Sequence, residues 1–333
     1  GFRYGLYIDS GNGYIENGPT VTSITPTDTG DVRQFFELNV AGTQRVCAVA
    51  GQYVKVRTAD TAAGWATARD LGAGVTPRRV AVFRGNQSAD YAFIAADVGA
   101  SYWVWDGTTT TTTFTQDADD HAIAFRTYQD HIIRLARETD GYSISKSYLG
   151  GTNATWSGSF KVPPRSNAAS DMAVFNNRLY VSSAQGLYAP SVRSLADLQF
   201  DVDELTPAFS FQRSADNGLG LHPWYQWLFV PMGGSLFRYD ADGGFPEMGL
   251  GILQGNVSEV QGIPTAMAGY RNWTLFACFY NAAENASYLM RWGSWQWLTT
   301  EEGPRHTFIP GWHGALYKFA GVRINAMFIS EAQ

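Results

Sequence analysis

Charge is scarce in this sequence, and so are cysteines and long apolar runs. Only 16% of the 333 residues are Asp, Glu, Lys or Arg, against about 25% in an ordinary soluble domain. The basic residues are scattered and the net charge is −6. With no basic stripe to neutralise phosphates, a nucleic-acid partner is not expected. No run of about 18 apolar residues occurs, so no membrane-spanning helix and no membrane insertion is expected, and no secretory signal is read at the start. The two cysteines, Cys47 and Cys278, are too few for a disulfide framework. Both sit in apolar strand-like runs, RVCAVAG and LFACFY, which predicts small buried hydrophobes carrying free thiols. The chain begins with Gly1, as a processed product or a segment of a longer polypeptide would.

Catalytic signatures are sparse too. G-x-S-x-G, H-E-x-x-H, C-x-x-C and G-x-x-x-x-G-K-[ST] are all missing. In GLGILQG, Gly249, Gly251 and Gly255 miss the spacing of a dinucleotide fingerprint and precede no helix, so they read as a turn. Asp240 and Asp242 in YDADGG offer two carboxylates where Ca²⁺ takes about six or more oxygens, so these too read as a turn. His121, His131, His222, His306 and His313 fall in different parts of the chain, none with a second ligand at metal-binding spacing. TADTAAGW and GGTNATWSG approach the Asp-box turn of sialidases and fail its pattern. No carboxylate pair stands out for glycoside hydrolysis. The expectation is a non-enzyme: no catalytic residue, no cofactor, no metal. Sequons at Asn86, Asn153, Asn256, Asn272 and Asn285 read as chance matches in a chain rich in Ser and Thr.

What the sequence does hold is glycine (35 residues) and aromatics (14%), a composition that suits turns and pleated sheets. Helical periodicity is confined to SVRSLADLQF (191–200), one or two turns capped by Ser191 or Ser194. Elsewhere one hairpin pattern recurs in different residues, as in NNRLYVSSAQGLYAPS (176–191) and QWLFVPMGGSLFRYDADGG (226–244). Aligning the second strand of each hairpin gives anchors at Val46, Tyr91, His131, Arg178, Trp227, Trp273 and Leu316, a period of about 45 residues. After each of the first six anchors a third strand follows, for example SYWVWDG (101–107) and GYSISKS (141–147). A period of about 40–50 residues is that of a four-stranded propeller blade. The prediction is therefore an all-β chain, a single β-propeller of seven four-stranded blades. Their expected ranges are 34–76, 77–120, 121–165, 166–215, 216–260 and 261–303, with the last made of 304–333 plus 1–33. Pairing strands from the two ends would close the ring and remove its open edges. A pair of β-sandwiches is the architectural alternative.

A resemblance adds to this. WSGSFKVP (156–163), FNNRLYVSSAQGLYAPS (175–191), DNGLGLHPWYQWLFVPMGGSLFRYDADG (216–243), SEVQGIPTAMAGYRNWTLFACFY (258–280) and YLMRWGSWQWL (288–298) resemble the blades of β-propeller minor tail and tail-fibre proteins of tailed bacteriophages. The resemblance covers roughly the last 180 residues; the first 150 share only the period. It implies a structural virion component, outside the cell, with other tail proteins as partners and sometimes a host-surface receptor or glycan. It also implies assembly as a homo-oligomer within a fibre, and brings no catalytic motif. The alternative is a secreted carbohydrate-binding or carbohydrate-active propeller, a lectin or a glycoside hydrolase.

For a binding module the expected contacts are loop aromatics. Trp224 in HPWYQW and Trp312 in PGWHG each sit between a Pro or Gly turn and a strand, and are the two candidates. The cluster Trp292, Trp295 and Trp297 reads instead as packing between blades.

Overall fold

The computed structural model describes residues 2–3, 6–9, 14–17, 31–40, 42–58, 64–96, 101–108, 114–115, 121–138, 141–162, 169–184, 186–192, 200–204, 217–240, 242–248, 262–270, 274–300, 303–327 and 329. Residues 193–199 of the expected helix, the glycines at 249, 251 and 255, and the sequons at Asn256 and Asn272 lie outside them. The described residues are all-β: antiparallel strands, plus one 3-10 turn at Gly151–Asn153. None of their helices is long and apolar enough to cross a membrane. The chain divides into two compact units, Ser23–Leu221 and Gly1–Thr22 with His222–Gln333.

The short sheet at the N-terminus belongs to the second of these and holds β1 (Phe2–Arg3), β2 (Leu6–Asp9) and β3 (Tyr14–Asn17). The Ser23–Leu221 unit then contains four successive up-and-down sheets of four strands each. The first is β4 (Val32–Val40), β5 (Thr43–Ala50), β6 (Tyr53–Arg57) and β7 (Trp65–Asp70). Next come β8 (Pro77–Phe83), β9 (Tyr91–Ala96), β10 (Trp103–Trp105) and β11 (Phe114–Thr115). The third is β12 (Ala124–Tyr128), β13 (His131–Glu138), β14 (Gly141–Ser147) and β15 (Ser157–Val162). The fourth is β16 (Ala169–Phe175), β17 (Arg178–Ser183), β18 (Leu187–Val192) and β19 (Phe200–Glu204).

Local chemistry sets these hairpins. Between β12 and β13 stand Gln129 and Asp130 with φ of 46° and 59°, and between β16 and β17 stand Asn176 and Asn177 with 47° and 55°. Two consecutive positive φ values give the turn whose twist matches that of the flanking strands. Asn and Asp tolerate that conformation better than most residues.

The apolar second strands follow from the way the sheets stack. One core cluster joins Leu38, Val49 and Val54 to Val80, Ile94 and Trp103, from the first two sheets of the unit. Another joins Phe83, Phe93 and Tyr102 to Phe125 and Ile132. A third joins Ile133, Leu135 and Ile144 to Met172, Leu179 and Val181. Neighbouring residues of one strand thus serve opposite clusters: Phe93 and Ile94 part ways in β9, as do Ile132 and Ile133 in β13. A strand covered on both faces must be apolar at consecutive positions, not at alternate ones.

Contacts between sheets run from first strand to first strand, at a separation of about one repeat. The Gln34 amide in β4 donates to the Val80 carbonyl in β8 at 3.0 Å and accepts from the Val80 N–H at 2.9 Å, 46 residues away. Thr127 in β12 donates to Val82 in β8 at 3.2 Å, 45 residues away. The Tyr128 hydroxyl donates to the Asn177 carbonyl just beyond β16, 49 residues away. The 45-residue period of the sequence is therefore the distance between equivalent, touching positions.

The other unit continues with β20 (His222–Trp224), β21 (Trp227–Met232) and β22 (Ser235–Asp240), then β23 (Ile263–Tyr270), β24 (Thr274–Asn281), β25 (Ala286–Thr300) and β26 (Gly303–Ala320). A single bridge, Phe237 to Glu247, begins a fourth edge on the sheet of β20–β22. First strands abut here as well. An added Cβ on Gly269 in β23 would lie 2.0 Å from the Trp224 ring in β20, so the glycine is required by that close approach.

One expectation needs correction. The sequence period puts Leu316 in the second strand of a new blade, yet it falls in β26, which pairs with β25 as the fourth strand of the sheet begun by β23. At the place where the two ends are expected to meet, β1 lies alongside β26. Among the described residues β1, β2 and β3 pair with one another, and β26 pairs with β25. The long register from Ala286↔Ala320 to Thr300↔Gly303 pairs one edge of β26 along the whole of β25.

Both cysteines are buried free thiols. Burial pushes the Cys47 thiol up to about 12, opposed slightly by Arg45, and raises Cys278 as well, in a pocket where its sulfur lies 3.5 Å from that of Met327. We expect a thiol-specific chromogenic reagent to find two thiols per chain in denaturant and almost none in the native protein at pH 8. Above pH 9 the unfolded chain releases these protons and the folded chain holds them, so stability should fall as pH rises from about 9 towards 12. Full native reactivity at pH 8 would contradict this burial.

Candidate functional site

The two aromatic candidates are placed elsewhere than the sequence suggested. Trp224 ends β20, is 7% exposed and packs among Trp227, Phe229 and Trp292 at ring separations of 6.0–6.3 Å. Trp312 lies within β26, opposite Trp292, half-buried against Phe279, and its indole N–H donates to the Met248 carbonyl at 2.9 Å. Neither is an exposed loop residue. Strand pairing and the inter-sheet core claim both rings because a Trp buries more apolar area than any smaller side chain could. In HPWYQW the exposed ring is the next residue, Tyr225, 42% exposed at the hairpin tip with φ of 55°. The guanidinium of Arg238 lies over Trp227 and Trp292 at 5.1 and 5.9 Å and pairs with Asp240 at 3.0 Å. Asp240 also closes its turn by accepting from Gly243 N–H through its backbone carbonyl at 2.9 Å. His131 opens β13 with Nδ1 2.6 Å from the Gln129 carbonyl. The side chains of Trp295 and Trp297 lie outside the described ones.

The structure brings together a different constellation, in the Ser23–Leu221 unit. Asp171 near the start of β16 is fully buried, and two arginines from the two preceding sheets reach it. Arg126 of β12 donates through Nη2 to Asp171 Oδ1 at 3.2 Å, and Arg79 of β8 brings Nε to 3.0 Å from Oδ2. Oδ1 also accepts the Met172 N–H at 2.8 Å, and Oδ2 accepts the Gly220 N–H at 3.0 Å. Each carboxylate oxygen thus faces one backbone N–H and one guanidinium, an arrangement that compensates a buried charge.

Ser182 in β17 supports the cluster from beneath. Its hydroxyl accepts from the Asp171 N–H at 3.1 Å and donates to the Gly218 carbonyl at 2.6 Å. Gly218 has φ of 70°, and a Cβ there would come within 2.5 Å of Ser182. The segment NGLGL (217–221) therefore needs Gly218 to lie this close to β17. Burial lowers the pKa of Arg126, Asp171 opposes that shift, and the nearby Arg79 cation adds to it.

Composition and motif reading missed this cluster because none of its members belongs to a local pattern. The signal that could have found it is positional. Arg126 and Asp171 are 45 residues apart, and Arg79 stands at the matching place one repeat earlier. Charged residues at one phase of a blade period, in a chain this poor in charge, are the clue.

No protein-family model matches the chain, and no curated protein sequence does. Solved structures do share its fold. The extracellular domain of a protein from B. thetaiotaomicron, described as a hybrid two-component system, aligns over 80% of this chain with a TM-score of 0.55 and 12% identity. A second structure of that extracellular domain, described as from a one-component system, aligns over 80% at 0.51 and 13%. The alignment spans 33% of those chains, so this chain corresponds to about a third of their length. The Dos1 propeller aligns over 80% of this chain and 66% of its own, with a TM-score of 0.46 and 12% identity.

Proposed function

We propose that this chain is a seven-sheeted β-propeller that serves as a non-catalytic scaffold and recognition module in the tail of a virion. The observation that carries the reading is the contact of first strands between successive sheets, at separations of 45 and 46 residues. Strands that meet at equivalent positions repeat a rotation about an axis, and a repeated rotation is how propeller blades are arranged. The resemblance of the blade phrases to phage tail proteins supports the virion setting. The use of the buried ionisable groups supports binding over catalysis: the buried Asp171 carboxylate accepts from Arg126 and Met172 on one oxygen and from Gly220 on the other and lies against Arg79, so it ties strands of three sheets together.

Recognition in this reading belongs to exposed hairpin and loop aromatics such as Tyr225 and Tyr148, at 42% and 64% exposure. The experiment is a glycan-array screen of the chain together with a depolymerisation assay on the polysaccharides bound. The expected result is retention on a surface polysaccharide with no release of reducing ends, and genes for tail assembly beside its own. Release of reducing ends would replace the reading with a carbohydrate-active enzyme.

A further inference from the structure

We propose that Arg79 and Arg126 form a binding site for a small oxyanion, the carboxylate or phosphate group of an acidic saccharide or a free inorganic ion. The argument begins with charge. Among the described residues two guanidiniums face one carboxylate, so they carry one positive charge more than Asp171 compensates, in a region where Asp171 is fully buried. Asp171 cannot offer more, because its oxygens already accept from Met172, Gly220 and Arg126 and lie against Arg79.

Donors are left over. A guanidinium has five N–H groups. Arg126 directs Nη1 to the Phe125 carbonyl at 2.9 Å and Nη2 to Asp171. Arg79 meets Asp171 through Nε alone, and the angle there is poor enough that the buried Nε–H has no aligned acceptor. Among the described residues the Nη groups of Arg79 face no acceptor. Access is also present, since the two side chains retain 15% and 22% exposure. Opposite the tip of Arg79 stands Gly220, where an added Cβ would lie 3.3 Å from Nη2, so a residue without a side chain keeps that edge clear. Its φ of 87° holds the position for glycine. A planar fork of donors with surplus positive charge, set in a partly desolvated place, is suited to bidentate oxyanion recognition.

The site rests on the charge and geometry of the Ser23–Leu221 unit and not on the virion reading, so either can fail without the other. It is tested on the whole chain with inorganic phosphate and, separately, a galacturonic acid oligomer, each against chloride at equal ionic strength. Thermal unfolding should show a saturable rise in Tm with at least one of them, and Arg79→Gln should remove that rise. The native protein gives a second readout that needs no variant: modification of Arg79 and Arg126 by phenylglyoxal, followed by peptide mass spectrometry, should slow severalfold with the bound anion. Protection by phosphate alone identifies a free ion as occupant, and tighter protection by the oligomer identifies an acidic saccharide. If the anions do no more than chloride in both measurements, or if Arg79→Gln folds and keeps the full rise, the site is refuted.

Discussion

Replacing Asp171 with alanine is expected to lower the stability of the chain by roughly 3–5 kcal/mol, the cost of removing one partner from a buried ion pair. The loss comes less from the absent attraction than from what remains. Arg126 and Arg79 would face each other across a desolvated gap, and the N–H groups of Met172 and Gly220 would lose their acceptor. Each buried donor left unsatisfied costs about 1–3 kcal/mol on its own. Chemical denaturation of the Asp171→Ala chain measures the total. A double-mutant cycle with Arg126→Ala isolates the coupling, which should be large because the two side chains touch. A loss below about 1 kcal/mol would mean that the three first strands do not depend on this carboxylate.

Trp224→Ala should be of similar size, roughly 3–5 kcal/mol for a buried aromatic, and should leave ligand binding untouched. Trp224 fills the space between β20 and β23 so closely that Gly269 has no room for a methyl group. Its removal would open a cavity lined by Trp227, Phe229 and Trp292. Tyr225→Ala, one position away and 42% exposed, should cost less than about 1 kcal/mol of stability, as surface substitutions do. Calorimetry on the two variants distinguishes the neighbours. Equal and small losses would return Trp224 to the surface.

The strands, their order and their period were legible in the sequence because they are set locally. Asn176–Asn177 and Gln129–Asp130 fix tight turns by their own backbone preferences, and the consecutive apolar residues of β9 and β13 announce strands covered on both faces. The anchors from Val46 to Trp227 stand in, or open, the second strands β5, β9, β13, β17 and β21. The anchors failed at Leu316, where one strand runs unbroken from Gly303 to Ala320. A pattern of alternation describes a strand equally well whether it pairs with the strand before it or with one from the other end of the chain.

Function was less legible, for a related physical reason. A sequence pattern records which residues suit a pleated surface, and Trp224 and Trp312 suit both a loop and a core. Tertiary packing decided between these by burying one beside Gly269 and fixing the other against Phe279 and the Met248 carbonyl. It also created the charged junction outright. Arg79, Arg126 and Asp171 lie on three sheets and share no local motif, and only the stacking of first strands, one repeat after another, brings two guanidiniums to one buried carboxylate.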